Sequence, residues 1–168
     1  MSRSPGADGD SDSPPALTLA TPEDLPALTA LALAAYAKYT PRLGHEPPAM
    51  RPDFVGHVTR GEVSVLRSAA GLDAYLVHFE AGGAWVIENI AVAPGAQGKG
   101  IGRALLSHAE AAGRDAGCRR AVLLTNLVMT ENQALYTRLG WRETGRRPYR
   151  GTHVIDYEKP LDGAGGNP

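Results

Sequence analysis

Apolar and polar residues alternate singly in some stretches of this chain and recur at three-and-four spacing in others, and the changes of period divide it into elements. "ALTLA" (16–20) alternates as a short strand. In "TPEDLPALTALALAAYAKY", Thr21 is placed as N-cap, Pro22 stands at the first helical position, and Glu23 and Asp24 face the positive end of the helix dipole, which predicts a first helix. "TPRLGHEPPAM" reads as a proline-rich loop, with a short second helix expected from Pro52 to Thr59. "EVSVLRS" and "LDAYLVHFE" flank Ala69-Ala70-Gly71 as a hairpin, and Ala81-Gly82-Gly83 turns into the long strand "AWVIENIAV".

After it, Ile101, Ala104, Leu105, His108, Ala109 and Ala112 form one apolar face opposite Arg103, Ser107, Glu110 and Arg114, a helix ended by Gly117. "RAVLLT" is a buried strand. "TENQALYTRLG" is a helix with a Thr130–Gln133 capping box and Gly140 past its end, and "WRETGRR" and "THVIDYEKP" close the chain as strands. This order predicts an α/β fold, a mixed sheet with helices on its faces. Residues 1–15, rich in Ser, Asp, Gly and Pro, have too little apolar surface to offset the entropy of ordering and read as a disordered tail. Residues 16–160 make one domain, and 161–168 a flexible end.

The chemistry concentrates at "QGKGIG", residues 97–102, between an apolar strand and an apolar helix. Glycine weakens regular elements, so three of them on alternate positions point to main-chain amides turned toward a ligand that comes close, and phosphate suits a helix N-terminus. A nucleotide P-loop is excluded, because Lys99 is followed by Gly100 and Ile101 rather than Ser or Thr. The dinucleotide fingerprint is excluded too: its third glycine would fall on Arg103 or Leu105, and Arg119 and Arg120 stand where a ribose-binding carboxylate belongs. A glycine-rich turn without a ligand is the alternative.

What remains, Gln97-x-x-Gly100-x-Gly102 after "IENIAVAPGA" and before "RALLSHAEAAG", resembles the acyl-CoA loop of the GNAT family of N-acetyltransferases. "NQALYTRLGW" is similar to a second motif of that family and departs from it at Trp141, where the family has Phe. The order of elements agrees with that fold from Leu17 to Lys159. The resemblance implies a mostly antiparallel sheet that splays at the acyl-CoA site, with acetyl-CoA as cosubstrate. It further implies main-chain pairing of pantetheine along Ile90, Ala91 and Val92, a pyrophosphate cradle at Gln97, Gly98, Lys99, Gly100, Ile101, Gly102 and Arg103, and a contact from Asn132.

Asn132 and Tyr136 lie four apart on one helix and share a face. A tyrosine beside the sulfur would be protonated at neutral pH and could donate to the departing thiolate; otherwise Tyr136 is a core residue bonded to backbone. Glu88 interrupts an apolar strand where many members of the family keep a base that takes the proton of the amine; otherwise it is an edge glutamate paired with an arginine. The implied activity is direct acetyl transfer to a primary amine, and the alternative is a non-catalytic acyl-CoA-binding or regulatory domain.

Charge adds little for a nucleic-acid or membrane partner: the formal net charge is −1 and the pI about 6.5. Among 17 cationic residues the arginines Arg146, Arg147 and Arg150 cluster, and with Arg42, His45, Tyr149 and His153 they flank the expected acceptor side. These guanidinium groups suggest an amine that also carries a carboxylate or phosphate, a small molecule or a peptide, unless they form a solvated face. The single Cys118 excludes an internal disulfide and is expected to pack at a helix end, the five histidines form no metal motif, and no metal is expected. No apolar signal core or long apolar run is present, so a cytoplasmic location is expected. A homodimer is compatible with these features.

Overall fold

The computed structural model describes residues 16–162, so the expected tail over 1–15 and residues 163–168 of the C-terminal one lie outside it. Seven strands form one sheet in the order β1-β2-β3-β4-β5-β7-β6. They are β1 (Thr18–Leu19), β2 (Val63–Ser68), β3 (Gly71–Ala81), β4 (Ala84–Val92), β5 (Arg120–Asn126), β6 (Arg142–Tyr149) and β7 (Thr152–Pro160). All neighbours are antiparallel except β4 and β5, which run parallel.

Strand alternation sends successive side chains of β3 to opposite faces. Ala74 and Leu76 pack with Leu105, Leu106 and Ala109 of α4 (Ile101–Asp115) and Tyr136 of α5 (Thr130–Arg138). Tyr75 and Val77 pack with Leu28, Leu31 and Ala32 of α1 (Leu25–Tyr36) and Phe54 of α3 (Phe54–Thr59). Two apolar cores therefore lie back to back across the sheet. α4 approaches β4 closely because Gly113 is bare: a Cβ there would lie 2.6 Å from Leu161 Cδ1 and 2.9 Å from Trp85 Cβ. Cys118 is buried just past α4, its amide donating to Gly113 O at 2.9 Å.

The residues of β4 and β7 coincide with the strands expected from alternation. Four local expectations change. β1 shrinks to two residues. The segment read wholly as loop contains two helical turns, α2 (Thr40–Leu43), stopped by Gly44 at φ 77°, and a 3-10 turn over Pro48–Met50. The second helix starts at Phe54 rather than Pro52, because Asp53 serves as its N-cap and accepts from the Gly56 amide at 3.0 Å. The Thr130–Gln133 capping box does not form: Met129 takes the N-cap position, and Gln133 Nε2 donates instead to Leu127 O at 2.9 Å, tying α5 to the end of β5.

Beneath the sheet, His78 is held as a neutral ring. Trp85 Nε1 donates to its Nδ1 at 3.1 Å, so the ring hydrogen lies on Nε2 and is given to Ser64 Oγ at 3.0 Å. Burial, with His108 nearby, pulls His78 from its ordinary value down to about 4. A base with a lowered native pKa takes up its proton first in the unfolded chain, so stability rises with pH over the interval between the two values. The contribution is full above about pH 6.5, falls away as pH drops toward 4, and amounts to roughly 3 kcal/mol. Urea melts at pH 7.5 and 5 should show about 2 kcal/mol of this loss, and His78→Gln, which does not titrate, should flatten the dependence without abolishing folding.

Candidate active site

β4 and β5 pair only from Trp85 to Ile87 against Ala121 to Leu123. Past that point β4 continues to Val92 with β3 as its one neighbour, so its other edge opens into a cleft. The separation begins at a β-bulge: Ile87 lies opposite His78 and Asn89 opposite Val77, leaving Glu88 as the extra residue. Asn89 pins the bulge from inside. Its Oδ1 accepts from Tyr75 Oη at 2.9 Å and lies 2.9 Å from Tyr36 Oη, while Nδ2 donates to Ala49 O at 2.9 Å. Burial pushes both phenols above their ordinary range, so they remain donors.

The cleft edge of β4 has a particular hydrogen-bonding character. Ile90 O lies 2.8 Å from Tyr36 Oη, and Val92 O accepts from Gln97 Nε2 at 3.1 Å. In a strand the N–H and C=O of one residue point to the same edge, so the amides of Ile90 and Val92 face the cleft as well. With the carbonyls already engaged by side chains, the edge presents donors.

The glycine segment lies at the near end of the same cleft. Gly98 and Gly100 have φ of 78° and 76°, a conformation that suits glycine, and Gly100 is the N-cap of α4. The first amide of α4 to find a main-chain acceptor is that of Ala104, at 3.1 Å from Gly100 O. The preceding amides, from Gly98 to Arg103, have no main-chain acceptor among the described residues. Gly102 has no positive φ, and a Cβ there would make only an ordinary 3.7 Å contact with Leu135. Nothing inside the chain requires glycine at 102; its bareness leaves the cradle open. Amides in this arrangement, at the positive end of a fifteen-residue helix, suit a pyrophosphate.

These residues line a cavity of about 520 Å³ together with Ile90, Ala91, Val92, Gln97, Ile101, Arg103, Asn132 and Tyr136. The structure thus brings together the expected cofactor residues except Lys99, which is exposed and outside the cavity wall. Tyr136 is buried, its ring packed against Trp141 and Tyr157 at 6.3 and 5.6 Å. Burial raises its phenol above the ordinary value, and its hydroxyl has no hydrogen bond among the described residues. The Trp141 indole N–H is also unpaired but sealed in the core.

Glu88 belongs to different walls, those of a small cavity of about 70 Å³ and an outer one of about 690 Å³. The alternative reading paired Glu88 with an arginine; the residue that meets it is a histidine. One oxygen of Glu88 contacts His57 Nε2. His57 Nδ1 in turn meets Glu62 Oε2 at 2.7 Å, Arg60 Nε donates to the same carboxylate at 3.0 Å, and the imidazole stacks on Phe79 at 5.8 Å. Burial opposes ionisation of Glu62, yet its bonds to His57 and Arg60 draw it below the ordinary carboxylate value. His57, Tyr36 and Asn89 were not legible as site residues: each occurs in an unremarkable segment, and only the fold carries them to β4.

The arginines flanking the acceptor side are largely engaged within the chain. Arg42 forms a two-pronged bond with Glu131, at 2.6 and 2.9 Å, that joins α2 to α5 and holds Glu131 at about 2. Arg146 pairs with Glu143, and Arg147 with Asp156 at 2.8 and 3.0 Å. Arg150, at φ 46°, lies over the Tyr149 ring. Arg42, Arg146 and Arg147 are thus paired within the chain, and Arg150 has no carboxylate partner among the described residues.

A family model described as the acetyltransferase (GNAT) family matches residues 43–141, more than half of the chain. Among solved structures, nourseothricin acetyltransferase is 27% identical with a TM-score of 0.56, over 59% of this chain and 64% of that one. The ribosomal-protein-S18-alanine N-acetyltransferase from Escherichia coli is 22% identical at TM-score 0.66, covering 90% and 97%. The PaiA N-acetyltransferase from Thermoplasma acidophilum in complex with coenzyme A is 12% identical at TM-score 0.68, covering 84% and 96%. No curated protein matches the chain significantly in sequence.

The bulge itself is open to test. Asn89→Leu keeps the branched shape but strands the Tyr75 phenol and the Ala49 carbonyl, so the protein should lose roughly 2–4 kcal/mol of stability in urea melts. An unchanged melt would show that Asn89 does not hold the bulge.

Proposed function

This chain belongs to the acetyltransferase (GNAT) family, and from that premise we propose that it moves the acetyl group of acetyl-CoA directly onto a primary amine, the two substrates being held together in the cleft between β4 and β5. The observation that carries this reading is the placement of Glu88 and Tyr136 on the wall of one small cavity joining two larger ones. Acetyl-CoA supplies an activated thioester whose carbonyl carbon bonds to nitrogen as its bond to sulfur breaks. The chain's residues bind and orient it: the amides at the α4 N-terminus take the pyrophosphate, and those of Ile90 and Val92 face the pantetheine and the carbonyl oxygen that gains charge.

Glu88 accepts the proton that an ammonium must lose before it attacks. His57 engages one Glu88 oxygen and leaves the other for the amine, with Glu62, Arg60 and Phe79 fixing the ring in turn. Tyr136, a phenol kept protonated by its burial and unengaged by the chain, donates to the leaving sulfur. Much of the acceleration comes from holding the amine against the thioester.

Two measurements test this. Acetyl-CoA and free CoA should each raise the melting temperature, with about 2.7 kcal/mol of added stability at a ligand concentration of 100 Kd. Gly102→Asp, which fits sterically but puts a carboxylate into the cradle, should remove that shift while the unliganded melt stays close to wild type. With an amine panel and a thiol-detecting assay, Tyr136→Phe should lower kcat at least tenfold while the acetyl-CoA KM stays within a few fold. Glu88→Gln should lose activity at neutral pH and regain part of it at higher pH, where more of the amine is already neutral. Full activity in both variants would overturn their assignments.

A further inference from the structure

The wall of the CoA-side cavity carries three phenols, Tyr36, Tyr39 and Tyr136. Tyr36 is committed to the chain, its hydroxyl lying 2.9 Å from Asn89 Oδ1 and 2.8 Å from Ile90 O. Tyr39 belongs to the single turn (Ala37–Tyr39) between α1 and α2 and is only 3% exposed. Its hydroxyl, like that of Tyr136, has no hydrogen bond among the described residues. Trp141 Nε1 is the one unpartnered side-chain polar atom sealed from solvent there, so both of these hydroxyls open into the cavity. Burial, and then Glu131, raise Tyr39 above its ordinary value against a smaller pull from Arg42, so it keeps its hydrogen. A buried phenol that the chain leaves unbonded points to a ligand that accepts from it.

The Tyr39 ring is fixed from several sides. Tyr36 packs 6.2 Å away, and Lys38 Nζ and the Arg42 guanidinium lie 5.1 and 5.2 Å from the ring centre. Arg42 is itself held by Glu131 of α5 at 2.6 and 2.9 Å and by Val128 O at 3.2 Å. The helix that carries Tyr136 therefore also seats Tyr39. The two phenols feel each other, for after burial Tyr39 is the next cause that raises Tyr136. Tyr39 lines neither the small cavity nor the outer one, where Glu88 stands, so it faces the cofactor and not the amine.

Resting on the acetyl-transfer reading above, we propose that Tyr39 is a second donor to the leaving sulfur, acting together with Tyr136. As the carbon–sulfur bond breaks and its electron pair stays on sulfur, Tyr136 yields the proton that sulfur takes, while Tyr39 donates a hydrogen bond and retains its own proton. The nitrogen loses one proton to Glu88 before it attacks and a second as the amide forms, and the second restores Tyr136. A thiolate has several lone pairs, and hydrogen bonds to a charged acceptor are stronger than those to a neutral one, so the second phenol matters most as the charge develops.

The test compares the full chain with Tyr39→Phe, which removes a hydroxyl the chain does not use and should leave the melting temperature unchanged. The first readout needs no amine: the thiol of bound CoA is titrated through its thiolate absorbance, with the desulfo-CoA complex as reference. A hydrogen bond to the charged form lowers a pKa, so Tyr39→Phe should raise the midpoint by about one pH unit while CoA affinity at pH 7 stays within threefold. The second is the single-turnover rate of acetyl transfer over an amine panel. It should fall about tenfold in Tyr39→Phe, and the double variant with Tyr136→Phe should be at least tenfold slower than Tyr136→Phe alone. An unchanged thiol titration overturns the inference, as does weakened CoA binding at an unchanged rate or a double variant no slower than Tyr136→Phe. Absence of turnover with every amine counts against the acetyl-transfer reading instead, and the thiol titration then decides the inference by itself. Failure of CoA to bind overturns both.

Discussion

The parting of β4 from β5 after the Ile87–Leu123 pair is the constraint on which the rest of the molecule depends. A sheet that stayed zipped would leave no cleft, and the glycine cradle at the head of α4 would face nothing. The parting is held by a single inserted residue, Glu88, and by Asn89 beneath it, whose amide accepts from Tyr75 and donates to the carbonyl of Ala49. The bulge has two consequences. It ends the parallel pairing, and it sets a carboxylate at the mouth of the opening so created. The structural device and the proposed base are one residue.

Around that opening the chain arranges donors on one side and a carboxylate on the other. The carbonyls of Ile90 and Val92 are taken by Tyr36 and Gln97, the α4 amides are unshared, and the Tyr136 phenol is kept neutral by burial. All three suit a substrate that carries phosphate, a polarised carbonyl and a departing thiolate. On the acceptor side Glu88 is seated by His57, which is itself gripped by Glu62 and Phe79. The ion pair between Arg42 and Glu131 ties the helices on either side of the cleft to each other.

Much of the architecture could be read from period alone. β4 and β7 are long alternating runs bounded by glycine or proline, and α4 has a clean apolar stripe, so local pattern and tertiary environment agree. The glycine loop stands out for a different reason: glycines at 98, 100 and 102 weaken a regular element, and such a departure from local preference points to a ligand. Where reading failed, a competing local bond prevailed. Gln133 had a nearer carbonyl than the cap it was expected to close, and Asp53, the residue after Pro52, took the N-cap. The partner of Glu88 was out of reach because His57 lies on a six-residue helix with no pattern of its own, and only the packing of α3 against the sheet brings the two together. For the same reason the sequence displays the arginine cluster but not the carboxylates of Glu131, Glu143 and Asp156 that fold against Arg42, Arg146 and Arg147.

Direct transfer requires both substrates to occupy the cleft at once. The chain's one cysteine, Cys118, is buried at the far end of α4 and lines none of the three cavities, which leaves no thiol in the cleft to carry the acetyl group between substrates. Initial velocities measured over a grid of acetyl-CoA and amine concentrations address this directly. Double-reciprocal lines that intersect, as for transfer within a ternary complex, are the predicted result; parallel lines, the mark of an acetylated enzyme, would contradict it.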